Sequence, residues 1–376
     1  MLAHHILTQH RLVSFISAGI LATLLSACSN APIEAPVDQP ELAFPSPPDD
    51  ARFYFDQGIR GSADIVQLTE DDKMMYFLTG RGRVSAGFGK PFDIAAYKGR
   101  VYVSDTASRD VFIIDKKKGV FDQLSSKSGI SFVKPMGLAT DDAGNLYVVD
   151  NKQSKIFIFS SSNKLLKEID GKEYFVRPSG IDVTPDGSTA FVVNVGGVDN
   201  QNHGVSVIDL KSGTLIRTIG TRGSGDGEFN LPKDVAIGKD GLLYIVDSGN
   251  FRVSVLSQEG AYIRSFGEVG VQHGAFSRPK GIAVDPEGHI YVIDAGFGNF
   301  QIFNTEGQLL LFVGTRSTRG GPSEFMLPAG IEIDEDGRVY VIDQYLRKLD
   351  VFRPAAVPKG KGYFSSPEKP VKKPAQ

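Results

Sequence analysis

The sequence predicts an all-β chain of six repeated four-stranded sheets, and three observations carry that prediction. One is a recurring apolar run, at 102–105, 147–150, 191–194, 244–247, 291–294 and 340–343, that opens on an aromatic residue and closes on an acid or amide. Another is a proline leading each copy: Pro91, Pro135, Pro178, Pro232, Pro279 and Pro328. The third is the interval. The closing residues Asp105, Asp150, Asn194, Asp247, Asp294 and Asp343 are 45, 44, 53, 47 and 49 positions apart. A period in the forties holding four strand-sized segments is the signature of propeller blades. A six-bladed β-propeller follows, and although 376 residues suggest two domains, a closed repeat fold grows as one unit.

Each element of the unit has its own justification. Residues 278–294 read R-P-K-G-I-A-V-D-P-E-G-H-I-Y-V-I-D, two strand-like runs around an Asp-Pro-Glu-Gly turn, which is a hairpin by composition. The fourth unit displays all four strands, at 232–238, 242–247, 251–257 and 261–266, with Gly260 and Gly267 at turns where a left-handed backbone is tolerated. No segment shows a convincing helical period. A solenoid would want polar capping repeats at both ends, whereas here the ends are complementary. The sixth unit has only three strands, and residues 52–59 form a strand with no blade of its own. Pairing that N-terminal strand as the fourth of the last blade closes the ring and removes an exposed edge.

The flanks read differently. Residues 29–51 carry six prolines and five acids, so they read as an extended tether that cannot bury enough surface to fold. Residues 355–376 hold five lysines and one acid and read as a disordered, solvated tail. The domain plan is therefore 1–27, 28–51, 52–354 and 355–376. Formal charge moves from −3 to −4 once residues 1–27, whose only charge is Arg11, are removed, and no basic face for nucleic acid is expected.

Two resemblances follow from these residues. The only cysteine, Cys28, ends the run Leu25-Ser-Ala-Cys after an apolar stretch at 12–25 that follows Arg11. This resembles a bacterial lipoprotein signal with its lipobox, and the stretch is shorter than the ~20 residues a spanning helix needs. The resemblance implies lipid on Cys28 and anchorage in a membrane; Ser29 in the next position implies the outer membrane, facing the periplasm. The motif P-x-G-I-A-x-D-x-x-G-x-Y-V-x-D and the linker at 223–229, G-S-G-D-G-E-F, resemble the NHL-repeat family of six-bladed propellers across residues 52–354. Six-bladed relatives that are enzymes, peptidyl-hydroxyglycine lyases and gluconolactonase-like hydrolases, place metal ligands around the channel. This chain has no matching histidine set.

Candidate chemistry is sparse, and no catalytic set is assigned. Outside the signal there are three histidines, His203, His273 and His289, with no metal-site spacing among them; His289 occupies a hairpin turn and is expected exposed and inert. Two constellations stand out on the innermost strands. Two or four positions after the prolines lie Asp93, Asp234, Asp182 and Glu332; in a six-fold ring Asp93 faces Asp234, and Asp182 faces Glu332. Converging carboxylates call for a cation such as Ca2+, or else each accepts backbone N–H groups. The second constellation is basic: Lys90, Lys134, Arg177 and Arg278 just before the prolines, and Lys233 and Lys280 just after. These either attract anions or acidic partner loops at the channel mouth or pair with the strand-closing aspartates, which otherwise hold turns. Aromatics Phe251, Phe297, Phe300 and Tyr345 form either a contact patch or blade core. Two long connections, 61–89 and 195–203, are expected on the mouth face, where loops on a rigid scaffold carry function. The function expected is an envelope scaffold binding a protein or ligand through that face. The alternative is a metal-dependent lyase or hydrolase with a carboxylate-lined channel.

Overall fold

The computed structural model describes residues 41–80, 85–197 and 200–365. Six antiparallel blades follow one another, and their innermost strands are Pro91–Tyr97, Pro135–Thr140, Pro178–Val183, Pro232–Ile237, Pro279–Val284 and Pro328–Ile333. Each innermost strand neighbours the next, and Pro328–Ile333 returns to Pro91–Tyr97. The repeat read from the sequence is thus the blade. In the fourth blade the remaining strands are Leu243–Asp247, Arg252–Leu256 and Tyr262–Phe266, within a residue of expectation. Gly260 and Gly267 are left-handed, with φ of 101° and 87°.

The two middle strands of each blade are apolar on both faces because neighbouring blades cover both. All six residues of Asp110–Asp115 are buried, whereas the outermost strand Thr214–Ile219 buries only its last residue. Apolar cores sit between successive blades, and one joins Ile94 and Phe112 of the first blade to Tyr340 and Leu349 of the sixth. That junction is closed by the strand Phe53–Ile59, which pairs antiparallel with Lys348–Pro354, Phe55 opposite Phe352 and Ile59 opposite Leu349. The N-terminal strand therefore completes the last blade.

Three expectations need correction. The tether does not run to residue 51: Ala43–Phe44 pairs outside Phe53–Ile59, and the Phe44 ring meets Phe352 edge-on at 5.7 Å. Two apolar residues suffice once a formed sheet edge waits for them. Nor is the tail wholly solvated. Phe364 is buried and packs edge-on against Tyr340 at 5.4 Å, covering the junction of blades six and one; residues 366–376 lie outside the described residues. Finally, two segments among the described residues are α-helical, Glu70–Thr79 and the single turn Leu124–Ser128. Helix α1, Glu70–Thr79, begins at a capping box in which the Thr69 hydroxyl accepts from the Asp72 amide and the Asp72 carboxylate accepts from the Thr69 amide. It ends on left-handed Gly80. No helix residue is buried, and Met74 to Leu78 stand exposed beyond a neck where the Ser62 amide donates to Ala86 at 2.7 Å.

Candidate functional site: the mouth of the channel

Every innermost strand carries the same irregularity. The pairing register shifts between each leading proline and the residue three positions on: Pro91/Ile94, Pro135/Leu138, Pro178/Ile181, Pro232/Val235, Pro279/Ile282 and Pro328/Ile331. Proline has no N–H to offer the ladder, and a bulge here re-aims the side chains that follow it. The strand-closing aspartates lock this geometry, as turn-holders should. Asp294 accepts the amides of Ser277 and Arg278 on one side and of Gly296 and Phe297 on the other. Asp105, Asp150 and Asp343 do the same at their blades.

The outcome is a cavity of about 170 Å³ at the mouth. Lys134, Arg177, Lys233 and Lys280 of the basic constellation line it; Lys90 and Arg278 stand outside the lining. The latter two are still felt. Burial lowers the Lys134 and Lys280 pKa values, and nearby positive charge, that of Lys90 and Arg177 on Lys134 and of Arg278, Lys233 and Lys90 on Lys280, adds to the effect. Lys280 falls to about 8. Among the described residues none of these cations lies within salt-bridge distance of an acid, and the one closing aspartate in an ion pair is Asp247, with Arg252. The expected alternative, rim cations spent on the closing aspartates, does not occur: those aspartates take backbone amides instead.

The four acids meet in the channel. A second cavity of about 110 Å³ is lined by Asp93, Asp182, Asp234 and Glu332, and Asp93 and Asp234 also floor the mouth. Three of them reach across to the next blade: the amide of Leu138 donates to Asp93, that of Ile237 to Asp182 and that of Ile282 to Asp234. Glu332 accepts from its neighbour Ile333. Among the described residues no three His, Cys, Asp or Glu side chains converge as a metal ligand set. The carboxylates therefore act as pins between inner strands, the plainer of the two readings, and the donor set does not fit the calcium reading. Burial drives all four pKa values up, to about 7 for Asp93 and about 6 for Asp182, with Asp234 and Glu332 well above the ordinary range. Asp93 and Asp234 sit on opposite blades, and the Asp93 charge adds to the effect of burial on Asp234.

The remaining expectations divide. His203 is buried; its Nδ1 accepts the Leu231 amide and its Nε2 bonds the Gly197 carbonyl, so the ring pins the 195–203 connection to the next blade. Val198 and Asp199 of that connection, like Arg81, Arg83 and Cys28, lie outside the described residues. His289 is only half exposed and bonds Asp285 at 2.8 Å, while His273 stacks on Phe312. Phe300 is core and Tyr345 is exposed. Sequence reasoning weighed the residues one before, two after and four after the prolines, but of the ring one position after it weighed only Lys233 and Lys280. Phe92, Met136, Ser179, Lys233, Lys280 and Ala329, one from each blade, all line the mouth. Writing the six repeats in register at that column was the signal that finds them.

Comparison with known proteins agrees with the architecture. The family model of the NHL repeat matches residues 229–256 and 276–303. Among solved structures, a protein of unknown function from Bacteroides thetaiotaomicron is similar at TM-score 0.59 and 17% identity, over 79% of this chain and 75% of that one. A gluconolactonase from Xanthomonas campestris gives 0.54 and 16%, over 80% and 98%. Virginiamycin B lyase from Staphylococcus aureus gives 0.52 and 14%, over 79% and 98%. At such identities the likeness is one of fold.

Proposed function

Because the chain is an NHL-repeat propeller of six blades, we propose that it is an envelope lipoprotein, held on the outer membrane by lipid on Cys28, whose disc binds an anionic group at the channel mouth. The group is free or carried on the acidic loop of an envelope protein. One observation carries this reading: Lys134, Arg177, Lys233 and Lys280 converge on one concave site, among the described residues no acid lies within salt-bridge distance of any of them, and burial raises the pKa values of the two acids on its floor, Asp93 and Asp234. Holding like charges together costs free energy, and an anion that enters relieves it. The lyase or hydrolase reading asks for a metal ligand set, and among the described residues no three His, Cys, Asp or Glu side chains form one.

Two measurements test it separately. Intact mass of the membrane-extracted protein reads the lipid on Cys28, and an unmodified thiol there ends the anchorage claim. A photo-crosslinking residue placed at Val195, on the mouth wall, traps the occupant in living cells. The adduct is expected to disappear in Arg177→Glu or Lys280→Glu. Trapping that persists in both variants removes the anion claim.

A further inference from the structure

The ring one position after the prolines is not uniform, and its asymmetry describes the ligand. Blades six, one and two, which are consecutive around the ring, contribute Ala329, Phe92 and Met136; blades three, four and five contribute Ser179, Lys233 and Lys280. That ring is therefore apolar over blades six, one and two and polar over blades three, four and five, and Lys134 of blade two adds a further cation beside the border with blade three. Val195 and Arg177 line the same cavity.

We propose that the mouth is the binding site of a small organic acid, one ring or a short branched hydrocarbon bearing a single carboxylate. The hydrocarbon lies against Phe92, Met136 and Ala329, and the carboxylate faces Lys233, Lys280 and Arg177. The inference rests on the anion-binding reading above and narrows it to a ligand class. Size sets the upper bound. A dry cavity of about 150 Å³ holds a benzene molecule, so about 170 Å³ takes one ring and its acid group inside the mouth. Chemistry sets the two ends. Phe and Met surfaces reward removal of apolar carbon from water, and inorganic anions have none to offer. A guanidinium with two ammonium groups beside it recognises a carboxylate by charge-assisted hydrogen bonds, which a neutral ring cannot supply. A plain anion site would have cations all round, and a plain apolar site would have none. Here the cations lie on blades two to five and the apolar ring residues on blades six, one and two.

The experiment is a calorimetric titration of the full mature chain at pH 6.5 with four probes: benzoate, acetate, benzamide and inorganic phosphate. Benzoate is expected to bind at least roughly tenfold tighter than either acetate or benzamide, since acetate lacks the ring and benzamide the charge. Phe92→Ala should erase most of the advantage of benzoate over acetate while leaving acetate unchanged. Lys280→Gln should weaken benzoate and acetate together, and Lys280→Arg should restore both. Equal binding of benzoate and acetate, or phosphate binding alone, overturns the organic-acid proposal and leaves the anion site standing. Equal binding of benzoate and benzamide, or no binding of any probe, overturns both. Unchanged denaturant midpoints in the variants tie each loss to the mouth.

Discussion

Arg338, on the sixth blade, places its Nη1 2.8 Å from Oδ2 of Asp56 on the strand that closes the ring, and the arginine side chain is fully buried. The same guanidinium donates through Nη2 to the carbonyl of Lys361. Chain segments 282 and 23 residues away in sequence are thus held by one side chain. Its position in the hairpin turn is held elsewhere by Asn145, Leu242 and His289, none of which has two further strands to fasten. Only the sixth blade borrows its outer strand from the beginning of the chain.

Removing Asp56 leaves the buried arginine one weaker acid partner, Asp336, 3.9 Å from its Nε. Asp56→Ala should therefore destabilise by less than the about 3–5 kcal/mol of a fully uncompensated buried charge, on the order of 2 kcal/mol. Denaturant unfolding reads the total. Amide exchange should rise first in Phe53–Ile59, and an increase spread evenly over all blades would show that the pair does not serve the closure.

The four channel acids give the fold a pH dependence of fixed sign. A carboxyl whose folded pKa is raised keeps its proton in the window where the unfolded chain has already lost its own, so the folded state is favoured on the acid side. Stability attributable to Asp93, raised to about 7, is complete below about pH 4 and is lost as pH climbs to about 7. It stays flat beyond. Asp182, Asp234 and Glu332 act in the same direction. The protein should be more stable at pH 5 than at pH 8, by something on the order of a few kcal/mol. Asp93→Asn keeps an acceptor for the Leu138 amide and should flatten the slope. A midpoint that rises with pH from 5 to 8 would contradict the protonated channel.

How much of this was legible in the sequence follows from what kind of order each part has. Repeated order was legible: six prolines and six closing residues in register gave the blades and their inner strands, and the unpaired three-stranded last unit gave the closing strand. Order that occurs once was not. Helix α1 hides because Met74 to Leu78 are consecutive rather than spaced along one face, so the segment has no helical period to detect, although Thr69 and Asp72 spell its cap. Phe44 and Phe364 were read with their polar, proline-rich neighbourhoods, and single aromatic anchors vanish in such averages. The role of a buried acid was also unreadable. Asp93 as a cation ligand and Asp93 as a pin for the Leu138 amide need the same residue at the same position, and the distance to that amide, 3.0 Å, decides between them.

Crowding at the axis makes another prediction. A Cβ on Gly180 would lie 2.1 Å from Oδ1 of Asp234 and 2.8 Å from its Cα, and one on Gly330 would lie 2.8 Å from the Cα of Asp93. The backbone atoms cannot step aside without moving an inner strand. Gly180→Ala should therefore destabilise by at least about 1–3 kcal/mol, the range for overpacking. It should also disturb the mouth, because Gly180 and Asp234 both line it. An alanine tolerated without change in the denaturant midpoint would mean that the inner strands are not packed this closely.

Binding at the mouth should itself depend on pH, with two groups pulling the same way. Lys280 loses its charge as pH passes about 8, because burial and the charges of Arg278, Lys233 and Lys90 outweigh the attraction of Asp343. Asp93 on the floor gains charge as pH passes about 7. Between pH 6 and 9 the site therefore sheds positive charge and acquires negative charge. An anion held there reverses both tendencies, so it must take up protons as it binds. Benzoate affinity should fall steadily across that range, and calorimetry in buffers of different ionisation enthalpy should report proton uptake near pH 8. With Lys280→Arg the guanidinium keeps its charge, which leaves only the step near pH 7. The two steps are separable, and an affinity unchanged from pH 6 to 9 in the unaltered protein would remove the mouth as the seat of binding.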